Sequence, residues 1–434
     1  MRLAVNLSKV TLKKSEESVT GKMGLSWLAH SMEHFGVWRM VVDEYGQKKN
    51  SNCEVEAYRK IMAGVLMKVA GGRQAEDVEV LRADEGLLCS LGWKGMIGAD
   101  TLLNFIEDKR TNARMRRVND AMVIKAMREA DNEEFTYDND ATFIDSDKKS
   151  AAYSYQGIRQ FSGLMGCVTE LGLINTVDYR PGNVSPQTGI LNQLRKAVGQ
   201  AQKAGKKIVR FRSDSAGYQV KILGFCDSHG IEYYVTADKN AAVMKRIKQL
   251  KAYEWRAMHE RYARRVDVDW AEMSYVVSKG FRVRMLVLRW KNPDPTLFDA
   301  SPYCYHVIVT NNKEIRPMAW LEVHNGRMGT IEQAHKELKT GLGCDYTPSH
   351  DFEKNRGYFL LGVLAHNMCQ IMKRFYLMRE AADWTVKTLR YRFIYVCGKI
   401  VKTGRRFYCR MINVTNGIFE LFRYCQERMR MGFC

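Results

Sequence analysis

Three acidic residues stand where an α/β protein commonly places its reactive groups. Asp140 lies in the alternating run EFTYDNDATFID (134–145), two residues after Asp138 and on the same predicted strand face. Asp214 follows a second alternating run, KIVRFRS, and the Ser-Ala-Gly after it is typical of a strand stop. Glu332 lies near the start of the helical pattern GTIEQAHKELKTGLG. Because reactive groups gather at the carboxyl ends of strands in open α/β sheets, we expect these three carboxylates to converge.

Three converging carboxylates could hold two divalent cations. Hard oxygen ligands suit Mg²⁺, for which Mn²⁺ is a possible substitute. Two such ions, about 4 Å apart, activate a water molecule and stabilise the leaving oxygen of a phosphodiester. Lys336 and Lys339 follow Glu332 by four and seven residues, on the same predicted helix face, where they could hold the phosphate. The pattern indicates phosphodiester cleavage.

Each of these residues also has an ordinary structural explanation. An isolated Asp at a strand end usually caps a turn or the next helix, and a Glu four residues before a Lys is usually a solvent-exposed pair. Other chemistries have less support, since the chain contains no nucleophile elbow, no phosphate-binding loop and no zinc spacing among its nine histidines. The eleven cysteines contain no C-x-x-C pair, which is typical of reduced, buried thiols.

The surrounding sequence predicts an α/β core between helical regions. Helical spacing dominates the first part of the chain, and strands then alternate with helices over short connections. With seven prolines and no low-complexity tract, we expect no long linker. The predicted segments are a helical DNA-binding domain at 1–130, a first core part at 131–240, a β-rich insertion at 241–300, a second core part at 301–380 and a basic, helical C-terminal region at 381–434.

Several blocks of the sequence together resemble a known family. YDNDATF, VRFRSDSAGY, HVIVTNN and GTIEQAHKELKTGL occur in the order and spacing of the DDE-type insertion-sequence transposases, cut-and-paste bacterial proteins. The resemblance spans most of the chain and implies a ribonuclease H-like core with a β-strand insertion. It also implies that Asp140, Asp214 and Glu332 are the metal-binding triad and that Lys339 is the family's lysine.

The sequence departs from the family pattern just before the glutamate. The family commonly has Tyr seven residues and Arg four residues before it, where this chain has Asn325 and Met328. Arg327 is adjacent, so either it replaces the family arginine by a one-residue shift or phosphate positioning is weaker here. The family's Gly and Gln after the first Asp are also blurred, in IDSDKKSAAYSYQG.

The net charge of +20 indicates a polyanionic partner, and double-stranded DNA is the first candidate. One predicted helix face carries three arginines, for which a solvated basic face is the ordinary alternative. The segment between Trp384 and Phe419 is basic and contains no acid, and its ordinary alternative is a packed helix. The resemblance implies that the insertion touches the DNA end through an aromatic residue, whereas its tryptophans could also be core residues. The DNA-contact candidates are Arg110, Arg114, Arg117, Trp290, Lys336, Lys399, Lys402, Arg405 and Arg406.

The sequence also predicts location and assembly. The most apolar segment, 358–372, is interrupted by polar residues, and the N-terminus lacks a signal-peptide pattern, so we expect no membrane partner. The resemblance implies a cytoplasmic, nucleoid-associated bacterial protein. Because one chain supplies one triad and transposition cuts two ends, we expect a homodimer on DNA. Two alternatives stay open: a transposition repressor that has lost catalysis, and a structure-specific nuclease of the same fold.

Overall fold

A computed structural model describes this chain at residues 10–11, 17–46, 56–258, 267–278, 280–293, 301–404 and 406–432. Its α-helices are α1 (Met23–His34), α2 (Val37–Tyr45), α3 (Ala57–Val69), α4 (Val78–Arg82), α5 (Glu85–Leu91), α6 (Ala99–Glu107), α7 (Lys109–Glu129), α8 (Ile190–Lys203), α9 (Val220–Ser228), α10 (Ala241–Lys248), α11 (Pro317–Asn325), α12 (Ile331–Lys336), α13 (Phe352–Ile371), α14 (Val386–Leu389) and α15 (Asn416–Met431). Its strands are β1 (Glu134–Asp145), β2 (Ala152–Tyr153), β3 (Arg159–Val168), β4 (Leu173–Pro181), β5 (Lys207–Ser213), β6 (Glu232–Thr236), β7 (Arg256–Ala257), β8 (Asp269–Ser278), β9 (Phe281–Lys291), β10 (Tyr303–Thr310), β11 (Gly398–Thr403) and β12 (Arg406–Met411).

One mixed sheet positions the candidate site. Its core order is β4-β3-β1-β5-β6, in which β3 runs antiparallel to β1 and β4, while β5 and β6 run parallel to β1. The order continues through β10, β9, β8 and β7, all in antiparallel pairs. The core order is that of a ribonuclease H-like fold, so the expected α/β fold class is confirmed. The strands of the β-rich insertion extend this same sheet.

The strand β3 was not predicted from the sequence. It lies between β1 and β4, and nine of its ten residues are buried, so its two faces do not differ in polarity. By contrast, β1 begins and ends at the residues that its alternation predicts. A strand that is buried on both faces lacks the period-two pattern by which sequence reasoning finds strands.

Helices cover both faces of the core sheet. On one face, Asn139 of β1 donates a 2.8 Å hydrogen bond to the Gln193 side chain of α8. On the other face, Asn367 of α13 accepts a 2.8 Å bond from the Ile174 backbone of β4. Because each buried amide satisfies a specific polar group, these bonds fix how the helices lie on the sheet.

The two ends of the described chain pack against each other. Trp27 of α1 and Phe422 of α15 meet edge to face at 5.3 Å, and Phe422 stacks on Phe393 at 4.3 Å. The hairpin β11–β12, which the sequence analysis did not predict, joins the N-terminal segment through a bridge between Gly398 and Thr20. One hydrophobic core cluster includes residues from α1 through α15, so the core shows no division at the predicted domain boundaries. Those boundaries stay a prediction.

The nine cysteines in the described part of the chain carry free thiols, as the sequence predicts. Within that part, no helix combines the length and the apolar character needed to cross a membrane.

Candidate active site

A buried ion pair joins the two central parallel strands beneath the candidate site. Arg212 of β5 donates from Nε and Nη2 to the two carboxylate oxygens of Asp138, at 2.6 and 2.7 Å. The Asp138 side chain is fully buried and also accepts hydrogen bonds from the hydroxyls of Thr169 and Thr330. With its oxygens occupied in this way, Asp138 is a structural anchor and has no free position for a ligand.

Asp140 and Asp214 lie one step beyond this anchor. The register pairs Asp138 with Arg212 and Asn139 with Ser213, and β5 then ends. Asp140 is therefore the first residue of β1 beyond the pairing with β5, and Asp214 directly follows the last residue of that strand. Since neighbouring strands lie about 4.8 Å apart, the two aspartates are brought together at the carboxyl end of β5.

Asp214 also performs the ordinary role that the sequence left open for it. Its carboxylate accepts a 3.0 Å hydrogen bond from the Ala216 backbone and caps the short 3₁₀ turn at Ser215–Gly217. Capping through one carboxylate oxygen leaves lone pairs on the other. The capping role and a metal-binding role are thus compatible in one side chain.

Glu332 approaches from the helix that covers this face. It is exposed in the first turn of α12, which packs against β1. Thr330, at the N-terminus of α12, donates to Asp138, so the buried anchor also fixes this helix. The same network thereby sets the positions of β1, β5 and the helix that carries Glu332.

Arg327 lies against Asp140. Its Nη2 is 3.3 Å from Asp140 Oδ2, and its side chain is 7% exposed. Among the described residues, Arg327 Nε and Nη2 have no hydrogen-bond partner. A buried guanidinium with unused donors beside a carboxylate can bind an additional anionic oxygen, as a phosphate would supply.

The electrostatics of Asp140 show that the three carboxylates interact. Burial raises the pKa of Asp140 to about 6, the Arg327 charge opposes this shift, and the charges of Asp214 and Glu332 add to it. Like charges near Asp140 are held there at a cost, which a bound cation would remove.

The donor set fits a hard divalent cation, although the side chains are not gathered around one. In the described parts of the chain, no group of three or more His, Cys, Asp or Glu side chains forms a ready-made metal cluster. Asp140, Asp214 and Glu332 offer only carboxylate oxygens, which is the ligand type that Mg²⁺ and Mn²⁺ prefer. Arg327 lies where it partly neutralises Asp140 in this arrangement.

The lysines after Glu332 lie in two different environments. Lys336 is exposed at the end of α12. Lys339 falls in a π-helical turn, Glu337–Gly341, and is partly buried. Burial lowers the pKa of Lys339, and the charges of Asp145 and Asp345 oppose that shift. The wider turn changes the helical spacing after residue 336, so the predicted common face does not extend regularly to Lys339.

Sequence reasoning missed two groups beside the site. Asp238 follows β6, and its pKa is raised by burial and by the charge of Asp214, while a hydrogen bond to Ser215 opposes the shift. Its position after the run IEYYVTAD was the available signal. His335 is neutral at pH 7, because burial and the charges of Lys339 and Arg327 lower its pKa to about 3. That low pKa depends on tertiary contacts and had no sequence signal.

The arginines of α7 differ in how they are engaged. Arg110 is exposed, whereas Arg114 lies 5.3 Å from the Tyr45 ring and Arg117 is 2.6 Å from a Glu44 oxygen. Two of the three thus contact α2, and a DNA contact by this face stays a prediction.

The C-terminal candidates lie on the hairpin β11–β12. Lys399 pairs with Glu17 at 2.6 Å, Lys402 lies over the Phe407 ring, and Arg406 is exposed. Arg405 lies outside the described residues. Lys402 and Arg406 therefore present charge to solvent, while the Lys399 charge is partly neutralised.

Trp290 is partly buried at the end of β9 and packs against a second apolar cluster that contains Leu288 and Trp320. In the same region, Arg289 stacks over Trp255 at 3.9 Å, and Arg256 lies over Trp270. These tryptophans pack against apolar clusters that include residues outside the insertion, and DNA contact by Trp290 stays a prediction.

The model of one protein family, described as transposase DDE domain group 1, matches residues 3–431. No curated protein matches the sequence. Among solved structures, the chain is similar to piggyBac transposase in a cryo-EM structure of a synaptic complex with hairpin DNA, with 9% identity, a TM-score of 0.46, and coverage of 95% of this chain and 85% of that one.

Proposed function

This chain belongs to the transposase DDE domain group 1 family, and from that premise we propose that it is the transposase of a bacterial insertion sequence. In this proposal it binds the terminal inverted repeats of its element, cleaves the DNA ends with two Mg²⁺ ions and joins the 3′ ends to target DNA. The family membership confirms the resemblance to DDE transposases that the sequence blocks indicated.

One observation carries the proposal. Asp140 and Asp214 stand together at the point where β5 ends, and the charges of Asp214 and Glu332 both act on Asp140. The buried pair of Asp138 and Arg212 fixes both strands from below. Neighbouring carboxylates with like charges are costly unless they serve a cation, and they are typical of metal-dependent phosphoryl chemistry.

Each residue has a defined role in this proposal. Asp140, Asp214 and Glu332 would hold the ions, which supply an activated water and charge neutralisation at the phosphate. Arg327 offers its unused donors to a phosphate oxygen, in the place of the family arginine. Lys336 extends the positive surface one turn beyond Glu332. The chain's own work is to orient the scissile phosphate and hold it in place.

The experiment uses duplex DNA from the sequence flanking the gene, where we expect inverted repeats. With Mg²⁺ or Mn²⁺, the wild-type chain should nick these ends and then join them to plasmid DNA. Asp140→Asn, Asp214→Asn and Glu332→Gln should each reduce nicking by more than about 100-fold, the scale seen when one group that stabilises a transition state is removed. Because no phosphate-binding cation is lost, end binding measured in EDTA should be unchanged.

Matched controls separate catalysis from folding. Glu322→Gln and Asp147→Asn alter exposed acids on α11 and in the loop after β1, and both should nick at the wild-type rate.

Binding without nicking by the wild-type chain would identify a DNA-binding repressor, and nicking without joining would identify a nuclease. A triad variant that nicks normally would remove that residue from the proposed site.

We propose a homodimer that bridges two DNA ends, located at the nucleoid in the bacterial cytoplasm. One triad per chain and two ends per element support the pairing. The charge of +20 on each chain disfavours close approach until DNA phosphates neutralise it. Mass measurement of the cleavage-competent complex tests this, since a single chain bound to both ends would contradict it.

A further inference from the structure

The hairpin β11–β12 has one face packed on the protein and one face open to solvent. The register pairs Gly398 with Met411 and Ile400 with Cys409, so these four residues share the inner face. The Cys409 thiol lies against the Trp27 side chain, and Met411 packs against the hydrophobic core. The inner face is therefore held against α1.

The outer face of the hairpin carries basic and aromatic side chains. Arg406 and Arg410 are exposed there, and Tyr408 is 46% exposed. Among the residues that the structure describes, neither of these arginines forms an ion pair. Cations without a charged partner on a rigid strand are available to an anionic ligand. The outer face consists of Lys399, Val401, Thr403, Arg406, Tyr408 and Arg410.

The charge of this region selects the kind of partner. Residues 385–419 contain eight lysines and arginines and no acid. A second copy of the chain would bring the same cations against this face, and like charges directly opposite one another destabilise paired strands. DNA phosphates attract these cations instead, so duplex DNA fits the outer face better than a second copy does.

The shape of the hairpin fits the major groove of B-DNA. That groove is about 12 Å wide and admits a two-stranded ribbon, and each base pair presents a distinct pattern of donors and acceptors in it. The hairpin forms a sheet of its own, apart from the large sheet, and its strands are six residues long. Such a strand spans about 20 Å, which is long enough to lie across several base pairs.

Arg410 is the better placed of the two arginines to read a base. Its neighbours in β12, Cys409 and Met411, are held on the inner face, so the backbone that carries Arg410 is fixed. Arg406 is the first residue after the turn of the hairpin. Four residues, or about 14 Å, separate the two arginines, so Arg410 can reach base edges while Arg406 reaches a phosphate at the rim of the groove.

We propose that the outer face of β11–β12 enters the major groove of DNA and that Arg410 reads a guanine there. A guanidinium donates two parallel hydrogen bonds to the O6 and N7 atoms of guanine, which is the commonest base-specific contact. Arg406 and Lys402 contact phosphates, which positions the ribbon without reading sequence. The proposal rests on the proposed function, because it assigns part of the recognition of the element's ends to this ribbon.

The test measures sequence preference without requiring cleavage. The probe is a library of duplexes with a randomised central segment, bound by the full chain in EDTA, selected repeatedly and sequenced. The wild-type chain should enrich a motif that contains a preferred guanine. Arg410→Lys keeps the charge but loses the paired donors, so it should bind unselected duplex as the wild type does. Its preference for that guanine should fall by about 5- to 150-fold.

A modified base tests the groove. 7-Deazaguanine lacks the N7 acceptor of the major groove and leaves the minor groove unchanged. At the preferred position it should weaken binding by the wild-type chain. It should have little effect on Arg410→Ala, because that variant has already lost the contact. If the losses from the base and from Arg410→Ala add fully, Arg410 does not contact that guanine.

Lys402→Gln is the matched control, because Lys402 lies over the Phe407 ring on the opposite face of the same hairpin. It should weaken binding to all sequences equally and leave the motif unchanged. An equal loss for all sequences in Arg410→Ala would overturn the reading role and would make Arg410 a phosphate contact. A changed oligomeric state in Arg410→Ala with unchanged DNA binding would also overturn it and would assign the outer face to a contact between chains.

These outcomes are separable from transposase activity. If the wild-type chain enriches a motif that Arg410→Lys loses but never nicks flanking DNA, the ribbon stands and the proposed transposase activity fails. If the wild-type chain nicks flanking DNA while Arg410→Lys enriches the same motif, the transposase activity stands and the ribbon fails. A wild-type chain that enriches no motif would likewise overturn the ribbon.

Discussion

Breaking the buried pair of Asp138 and Arg212 should destabilise the protein far more than breaking a surface pair. The two side chains are 0% and 7% exposed, so removing one partner leaves the other charge buried and uncompensated. We expect Asp138→Leu and Arg212→Met each to lower the free energy of unfolding by about 3–5 kcal/mol. The exposed pair of Arg39 and Asp43, 71% and 58% exposed, provides the contrast. Asp43→Asn should cost at most about 0.5 kcal/mol.

A double-mutant cycle isolates the interaction. The variant that carries both Asp138→Leu and Arg212→Met contains neither charge, so its loss of stability should fall below the sum of the two single losses by about 2–3 kcal/mol. It still loses the hydrogen bonds from Arg212 to the Val323 carbonyl and from Thr330 to Asp138. For that reason, we do not expect the double variant to regain wild-type stability.

Urea denaturation followed by far-ultraviolet circular dichroism measures these free energies, with equal slopes required across the variants. A coupling energy within about 0.5 kcal/mol of zero would show that the two charges act independently. In that case the pair could not be the anchor that positions β1, β5 and α12. An Asp138→Leu variant as stable as Asp43→Asn would refute the reasoning directly.

Three further predictions concern the same surfaces. A Cβ at Gly326 would overlap the Arg212 guanidinium, so Gly326→Ala should lower the free energy of unfolding in urea by about 1–3 kcal/mol. Gly329 has open space around it, so Gly329→Ala should leave that free energy nearly unchanged. Equal losses of stability in the two variants would contradict this. The pKa of Asp140 is raised to about 6 in the folded protein, so the stability that its protonated carboxyl contributes is lost as pH rises from about 4 to 6, and below pH ~3 the carboxyl is protonated in both states. In EDTA, Asp140→Asn should therefore gain about 3 kcal/mol of stability relative to the wild type as pH rises from 3 to 7, and a constant difference would exclude the shift. Neutralising Lys402 and Arg406 to Gln should reduce the salt dependence of DNA affinity by about two in slope, and an unchanged slope would remove both residues from the phosphate contacts.

The sequence determined the local geometry of the site. The period-two alternation of 134–145 places Asp138 and Asp140 on one face, and the break after Ser213 leaves Asp214 at a strand end. In a strand, side chains alternate between the two faces, so the face on which each acid lies can be predicted from one segment of the sequence. The blocks around these acids also indicated the family, which the match over 3–431 confirmed.

Only the tertiary structure decided which acids are free to react. Asp138 and Asp140 are equivalent by alternation, yet the first pairs with Arg212, 74 residues away, and the second faces Arg327. The π-helical turn at Lys339 and the exposure of Tyr408 likewise depend on contacts between distant segments. These contacts are set by the register between strands and by the packing between helices, and both depend on the whole chain. The pattern of one segment specifies which of its residues share a face, but it does not specify which other segment that face contacts.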